Sequence, residues 1–498
     1  MSLWYLASML SSQWQSALSF SSCLIHIKRP YGHGPSCCQG AEIRYKQPGK
    51  AGVCETTPGV DDYAGYISLN PTTNMFFWFF EARENPSEKP LTLWLNGGPG
   101  SDSLIGLFQE HGPCNVTEDL RTQLNPYSWN EHSNMLYLSQ PVGVGFSYET
   151  TGNDTDGRYS LHILQAFLEL SPLLDPDIQN FTFNLWTESY GGHYGPGFYN
   201  YFYKQNEAIR NGSCAGVELE MDTLGIINGI VDEQIQAPYY PEFAVNNTYG
   251  IKAVDDTIYT FMKQAYYMPE GCHDQIEYCR QADRTTEYRY LTCSSATNIC
   301  RSLVEEPYYA FGGRGLYDIR HPYDDPTSSD YFEEFLNLAS TQEAIGVNIN
   351  YTSTNAPNVS RGFQRTGDFV YPTFIEDLEE ILAYGIRVAM IYGDADYICN
   401  WFGGQAISLA YGEVREYGNF SFTRIYEAGH EVPYYQPEAA LEIFKGVLDH
   451  VVIADGSQVV TDGYSTNGMA TATHTESFVS LPPSSTPTPG TISRSMTA

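Results

Sequence analysis

Ser189, His430 and the aspartates Asp394 and Asp396 are the residues of this chain whose types and order could carry covalent chemistry. A Ser hydroxyl attacks a carbonyl only when an adjacent base takes its proton and a third group holds that base. Ser189 stands in Thr187-Glu188-Ser189-Tyr190-Gly191, directly after the apolar run 181–186. The run reads as a buried strand and the residues beyond Gly191 as a helix. A strand that turns sharply into a helix around a Ser exposes the hydroxyl. The usual pattern carries Gly two places before the Ser; Thr187 stands there, so the pattern is partly met. Downstream, Gly393-Asp394-Ala395-Asp396 and Ala428-Gly429-His430 each follow a predicted strand. Either alone reads as a turn. In the order Ser, Asp, His, at strand ends, they read as nucleophile, orienting acid and base. On the residues alone, both aspartates stay open for the middle role.

These groups need a scaffold. Strands are predicted over 63–69, 75–80, 90–96, 134–139, 181–186, 224–229, 387–392 and 421–426, with helices over 159–170, 375–383 and 437–451. Alternating strands and helices imply an α/β fold with a mostly parallel sheet. With the Ser turn, this specifies an α/β-hydrolase fold. Between about 231 and 367 the alternation fades and Tyr, Cys and turn residues dominate, which reads as an insertion forming a lid or cap. The turn Asn96-Gly97-Gly98-Pro99-Gly100 ends the third strand. Its backbone N–H groups, with that of Tyr190, could form an oxyanion hole.

The formal net charge of -33 excludes nucleic acid and anionic membrane as partners, because both need a basic face. Eleven cysteines are too many for a typical cytosolic hydrolase. Cys272, Cys279, Cys293 and Cys300 suggest nested bridges; a zinc site is the alternative, with spacings that fit no ribbon motif. Sequons at Asn115, Asn153, Asn180, Asn211, Asn246, Asn350, Asn358 and Asn419 point with the cysteines to the secretory pathway and to N-glycans. Residues 1–42 hold a short apolar run without a basic flank and read as neither a clean signal peptide nor a domain. No run is long enough to span a membrane. From 456 to 498 the Ser, Thr, Gly and Pro content predicts a disordered tail. The expected hydrolase domain is 43–455.

Six collinear motifs carry a resemblance. They are Trp94-Leu-Asn-Gly-Gly-Pro-Gly100, Asn125-Pro-Tyr-Ser-Trp-Asn130, Gln140-Pro-Val-Gly-Val-Gly-Phe-Ser-Tyr148, Glu188-Ser-Tyr-Gly-Gly-His-Tyr194, Tyr392-Gly-Asp-Ala-Asp-Tyr-Ile-Cys-Asn-Trp401 and Ala428-Gly-His-Glu-Val-Pro433. Over 43–451 the chain resembles the serine carboxypeptidase family, most closely its fungal secreted branch. The resemblance implies an α/β-hydrolase with a helical insertion, acting on the C-termini of peptides and proteins through an acyl-enzyme. It implies Ser189 as nucleophile, Asp396 rather than Asp394 as the acid, His430 as base, and Gly98 and Tyr190 as oxyanion donors. It implies Asn96, Gly97, Glu110 and Glu188 as readers of the substrate carboxylate. Two close Glu cannot both ionise, so one keeps a proton at acid pH and can donate to that carboxylate; an acid optimum follows. No metal or cofactor is expected, and the location expected is extracellular, with the vacuole as alternative. The chain departs from the family at Ser101, where a Cys is usual, at Thr187, and at Glu431, where vacuolar members carry Met. Cys399 matches a Cys that stays unpaired near the site. An acyltransferase on the same scaffold and a catalytically dead adhesion module are the competing readings; the intact Asn96, Glu110, Glu188, Ser189 and His430 set argues for peptide hydrolysis.

Overall fold

The computed structural model describes residues 25–28, 42–68, 72–149, 181–213, 216–282, 287–323, 328–353, 357–371, 373–409, 416–454 and 456–466. Among the described residues fourteen strands are formed: β1 Ile25–Lys28, β2 Glu42–Lys46, β3 Asp62–Ser68, β4 Thr73–Phe80, β5 Leu91–Leu95, β6 Cys114–Val116, β7 Thr122–Leu124, β8 Asn134–Leu138, β9 Tyr148–Glu149, β10 Thr182–Glu188, β11 Glu220–Ile227, β12 Arg387–Gly393, β13 Glu416–Tyr417 and β14 Phe420–Ile425. Twelve of them build one sheet in the order β1-β2-β3-β4-β8-β5-β10-β11-β12-β14-β13, with β9 on β4. From β8 to β14 every neighbouring pair is parallel. The flanks are antiparallel.

Parallel strands are covered on both faces, which is why they read as short apolar runs rather than alternating ones. β10 shows it. Phe183 and Leu185 enter a core with Tyr199 and Phe202 of helix α1, Gly191–Arg210. Trp186, on the other pleat, joins Trp94, Trp129 and Phe444. Phe444 belongs to the C-terminal helix Pro437–Leu448, so the sheet is sandwiched between helices. The predicted helix over 375–383 is present with the bounds Ile375–Ala383. The helix expected over 159–170 lies outside the described residues.

The chain leaves the sheet after β11 and returns at β12. Between them lies a helical insertion, which includes α2 Asp256–Tyr267, α3 Cys272–Gln281 and α4 Glu287–Cys300. Cys272 is bonded to Cys300 and Cys279 to Cys293, a nested pair that staples α3 to α4. All four sulfurs are therefore consumed, and the zinc alternative falls away. Cys54 is bonded to Cys114. No helix among the described residues is long and apolar enough to cross a membrane.

One expectation needs correction. Residues 456–466 do not lie in a disordered tail but fold back on the sheet edge. Val460 N–H donates to the His450 carbonyl at 2.8 Å, Gly418 N–H to Tyr464 at 3.0 Å and Thr466 N–H to Glu416 at 3.0 Å. The edge strand β13 offers unpaired backbone groups, and pairing with them needs no apolar side chains. Residues 467–498 lie outside the described residues.

Candidate active site

Ser189 stands where β10 ends and α1 begins, with a φ of 62°. That left-handed value is rare for a residue with a side chain and marks a strained turn held by its surroundings. Backbone bonds hold it. Ser189 N–H donates to Ile227 at 2.9 Å, and the Ser189 carbonyl accepts from Gly192 and Ile230, both at 2.9 Å. The Thr187 departure has a packing answer. Its Oγ1 donates to the Gly191 carbonyl at 2.9 Å, and a Cβ on Gly191 would come within 2.5 Å of the Thr187 Cβ. The bulk added at 187 is thus accommodated by Gly at 191.

His430 and Asp396 meet: His430 Nδ1 lies 2.7 Å from Asp396 Oδ2, and Asp396 is fully buried. Asp394 does not take part in that contact. Its Oδ1 accepts from the Tyr249 hydroxyl at 2.5 Å and from Glu427 N–H at 2.9 Å. The two positions differ because residues two apart on irregular backbone after β12 aim into different loops. A residue that the sequence reading passed over completes the acid's environment. Asn228, at the end of β11, donates from Nδ2 to Asp396 Oδ2 at 2.7 Å, and Cys399 N–H lies 3.3 Å from Oδ1. Its only signal in the sequence was Asn-Gly at the end of a predicted strand. Ser189 Oγ lies 4.0 Å from Cys399 Sγ. Among the described residues, no hydrogen bond joins Ser189 Oγ to His430; such contacts tighten when substrate binds. Asp396, Cys399 and His430 bring one ligand atom each within 4.8 Å of one another. Burial pushes the Cys399 thiol well up, which keeps it protonated and a weak ligand.

The turn 96–100 is pressed against the Ser189 elbow. A Cβ on Gly97 would come within 2.4 Å of the Tyr190 nitrogen and 2.9 Å of the Ser189 Cβ, so only Gly fits. Gly98 has a φ of 106°. Among the described residues neither Gly98 N–H nor Tyr190 N–H is given to a backbone carbonyl. The turn thus packs against the Tyr190 nitrogen beside Ser189, and backbone N–H groups at such a junction can stabilise a developing oxyanion.

Asn96 links this turn to two carboxyl groups. Its Oδ1 accepts from Trp94 Nε1 at 2.7 Å and from Gly106 N–H at 2.9 Å. The amide is thereby turned so that Nδ2 faces Glu110 Oε1 at 3.0 Å and Glu188 Oε1 at 3.2 Å. Glu110 and Glu188 are 3% and 4% exposed. Burial, above all, raises Glu110 to about 7. Burial and then the Glu110 charge carry Glu188 well above its ordinary range. Glu431, half-buried, is raised to about 8 by burial and by Glu110. Glu188 Oε1 also lies 3.9 Å from His430 Nε2, so the acid cluster and the His–Asp pair are one site.

The Ser elbow, the His–Asp contact and a buried pair of carboxyls with raised pKa values lie together at the carboxyl end of the sheet. The serine carboxypeptidase family's sequence pattern matches residues 48–411 and 408–450. The chain belongs to the serine carboxypeptidase family. It is 39% identical to Carboxypeptidase S1 of Penicillium janthinellum, over 80% of this chain and 97% of that protein. It is also 39% identical to Carboxypeptidase S1 homolog B of Arthroderma otae, over 84% of this chain and 77% of that one. A prohormone-processing carboxypeptidase from Saccharomyces cerevisiae has the same fold, with a TM-score of 0.65 at 22% identity, covering 85% of this chain and 96% of that one. The other two family departures, besides Thr187, sit within this carboxypeptidase's site or beside it. No bridge is formed at Ser101, whose N–H donates to the Gly97 carbonyl at 3.1 Å. Glu431 adds a third carboxyl to the pair that the motifs identify.

Proposed function

We propose that this enzyme releases the C-terminal residue of peptides and proteins, and that a shared-proton carboxyl pair selects the free carboxylate. Ser189 Oγ attacks the scissile carbonyl while His430 takes its proton. Asp396 holds the imidazole and stabilises the imidazolium. Gly98 and Tyr190 N–H groups receive the oxyanion. His430 returns the proton to the leaving amine, which departs as the amino acid; water, deprotonated by the same His, then frees Ser189. Asn96, in the turn that Gly97 lets approach the elbow, donates with Glu110 and Glu188 to the carboxylate one residue beyond the scissile bond.

The observation that carries this reading is the Asn96 amide held between two buried carboxyls, one of which reaches 3.9 Å from His430 Nε2. A protonated carboxyl donates to a carboxylate, and an ionised one repels it. The reaction is therefore favoured at acid pH. The sequons and bridges support release into an acidic extracellular medium, with the vacuole as the alternative. The test is to incubate the purified enzyme with a blocked dipeptide and with an activated acyl ester plus an alcohol. Stoichiometric release of the free C-terminal amino acid, together with fluorophosphate label on Ser189, is the expected result. Ester exchange without peptide hydrolysis, or label on another Ser, overturns the proposal.

A further inference from the structure

His430 rides on a loop with no regular structure, between β14 and the short helix Val432–Tyr435. Three residues ahead, Glu427 has a φ of 56°. A non-Gly residue there is strained and persists only where neighbours hold it. Two sets of neighbours do so. On the sheet side, Asp394 Oδ1 accepts from Glu427 N–H at 2.9 Å. The Tyr249 hydroxyl bridges the same two groups, donating to Asp394 at 2.5 Å and lying 3.1 Å from Glu427 N–H. On the other side, Arg320 Nη2 donates to the Glu427 carbonyl at 3.2 Å.

Arg320 is itself fixed. Its Nε and Nη2 meet the two oxygens of Asp318 at 2.9 and 2.6 Å, and Asp318 is fully buried. The guanidinium carbon lies 5.3 Å from the Tyr249 ring and 5.6 Å from the Tyr435 ring. The same segment touches the reacting groups. The Tyr317 carbonyl accepts from His430 N–H at 2.9 Å, and its ring lies 4.9 Å from the imidazole. Ile319 N–H donates to the carbonyl of Ala395, next to Asp396, at 2.9 Å. Tyr249, Tyr317 and Arg320 all belong to the insertion, so the insertion braces the loop of His430 as well as covering the sheet.

We infer that Tyr249, Arg320 and Asp394 form a clamp on the Glu427 turn that positions His430, making the insertion a positioning element for the base. The inference rests on the reading of His430 as base. It assigns Asp394, which loses the acid's role to Asp396, a task of its own. Proton transfer demands an imidazole aligned on both Asp396 and the Ser hydroxyl, and a shift of about 1 Å costs about 10²-fold.

The test uses the full-length enzyme. Tyr249→Phe removes one bridging hydroxyl and no volume. Arg320→Lys keeps the charge but cannot span Asp318 and the Glu427 carbonyl together. Both should lose about tenfold or more in kcat, with KM within about twofold. The rate of Ser189 modification by a fluorophosphate, which needs the base but no peptide site, should fall in parallel. Asp394→Ala should behave likewise, and Asp394→Asn, which keeps an acceptor oxygen, should restore both rates to within about threefold of wild type. Wild-type kcat and modification rates in Tyr249→Phe overturn the clamp, whatever Arg320→Lys does to folding. So does a raised KM at unchanged kcat, which would mean that the insertion only shapes the pocket. A His430→Ala enzyme that still reacts rapidly with the fluorophosphate would instead bring down the base reading.

Discussion

Replacing Glu110 and Glu188 together by Gln separates reading of the carboxylate from chemistry at the acyl bond. In the wild type, Glu110 is raised to about 7 and Glu188 well above its ordinary range, chiefly by burial. At pH 5 both are protonated and the pair is neutral. As pH rises through about 7 the pair takes a negative charge beside the Asn96 amide, and the substrate carboxylate meets repulsion where it met a donor. If only the neutral pair binds, affinity scales with its fraction, so kcat/KM for a blocked dipeptide acid should fall about tenfold per pH unit above the first ionisation. Gln donates but never ionises. It also gives a weaker hydrogen bond than a carboxyl shared with a carboxylate, a loss of about 1 kcal/mol, or about fivefold, at pH 5. The double variant should therefore start lower, stay flat, and overtake the wild type near pH 8. Glu431, raised to about 8, could add its own fall, so Glu431→Gln is the control. The assay is kcat/KM from pH 4.5 to 8.5 at fixed ionic strength, for the dipeptide acid and its C-terminal amide. Parallel acid and amide profiles in the wild type would refute the argument. So would a double variant that keeps the fall above pH 7.

Ser189→Ala should lower turnover by several powers of ten, about 10³ or more, without changing the thermal midpoint; loss of the midpoint instead would mean a structural role. Asp396→Asn should cost far more than Asp394→Asn, because only Asp396 touches His430 Nδ1; equal losses in kcat would contradict this. Glycopeptide mapping of the protein expressed through a eukaryotic secretory pathway should find glycan at the exposed Asn115, Asn211, Asn246 or Asn350 and none at Asn419. The Asn419 amide nitrogen donates to Leu382 and Ile386 carbonyls at 3.2 and 2.6 Å, so an occupied Asn419 would contradict the packing. Folding should be most stable at acid pH. Burial raises Asp62 and Asp102 to about 7, above the unfolded value near 3.8, so each stabilises in full below about pH 4 and loses that contribution as pH climbs through about 7. The thermal midpoint should fall from pH 4.5 to 8 and fall less in Asp102→Asn; a rising midpoint would exclude the effect.

What the sequence disclosed follows from where its information is local. Buried parallel strands are short apolar runs cut off by Gly or Asp, so β5, β10, β12 and β14 and the residues at their carboxyl ends could be read directly. Ser189, Asp396, His430, Gly98 and Asn96 all stand at such ends. Thr187 looked like a defect because the elbow pattern is written one strand at a time. Its tolerance depends on Gly191 on the next turn of α1. The tail reading failed between 456 and 466 for a related reason. Composition measures apolar burial, but that segment is held by backbone bonds to β13, which composition does not count.

The insertion was the least legible part, and the site explains why. Tyr249 meets Asp394 across 145 residues, and Arg320 meets Glu427 across 107. Neither contact has a local pattern, since a Tyr or Arg in irregular chain reads as surface. Asn228 is hidden in the same way, 168 residues from Asp396. Its amide is fixed at both ends: Oδ1 accepts from Gly393 N–H at 3.1 Å while Nδ2 donates to Asp396. Asn228→Ala would leave a buried carboxylate short of one donor, and the lost charge-assisted bond is worth about 1.5–3 kcal/mol. An Asp396 so deprived can turn away from His430. Asn228→Ala should therefore lower kcat by about 10- to 100-fold while leaving the acid-to-amide substrate ratio at pH 5 unchanged, because the Asn228 side chain bonds Asp396, Cys399 and Gly393 and not Asn96, Glu110 or Glu188. A changed ratio with an intact kcat would show that Asn228 acts on substrate selection and not on the acid.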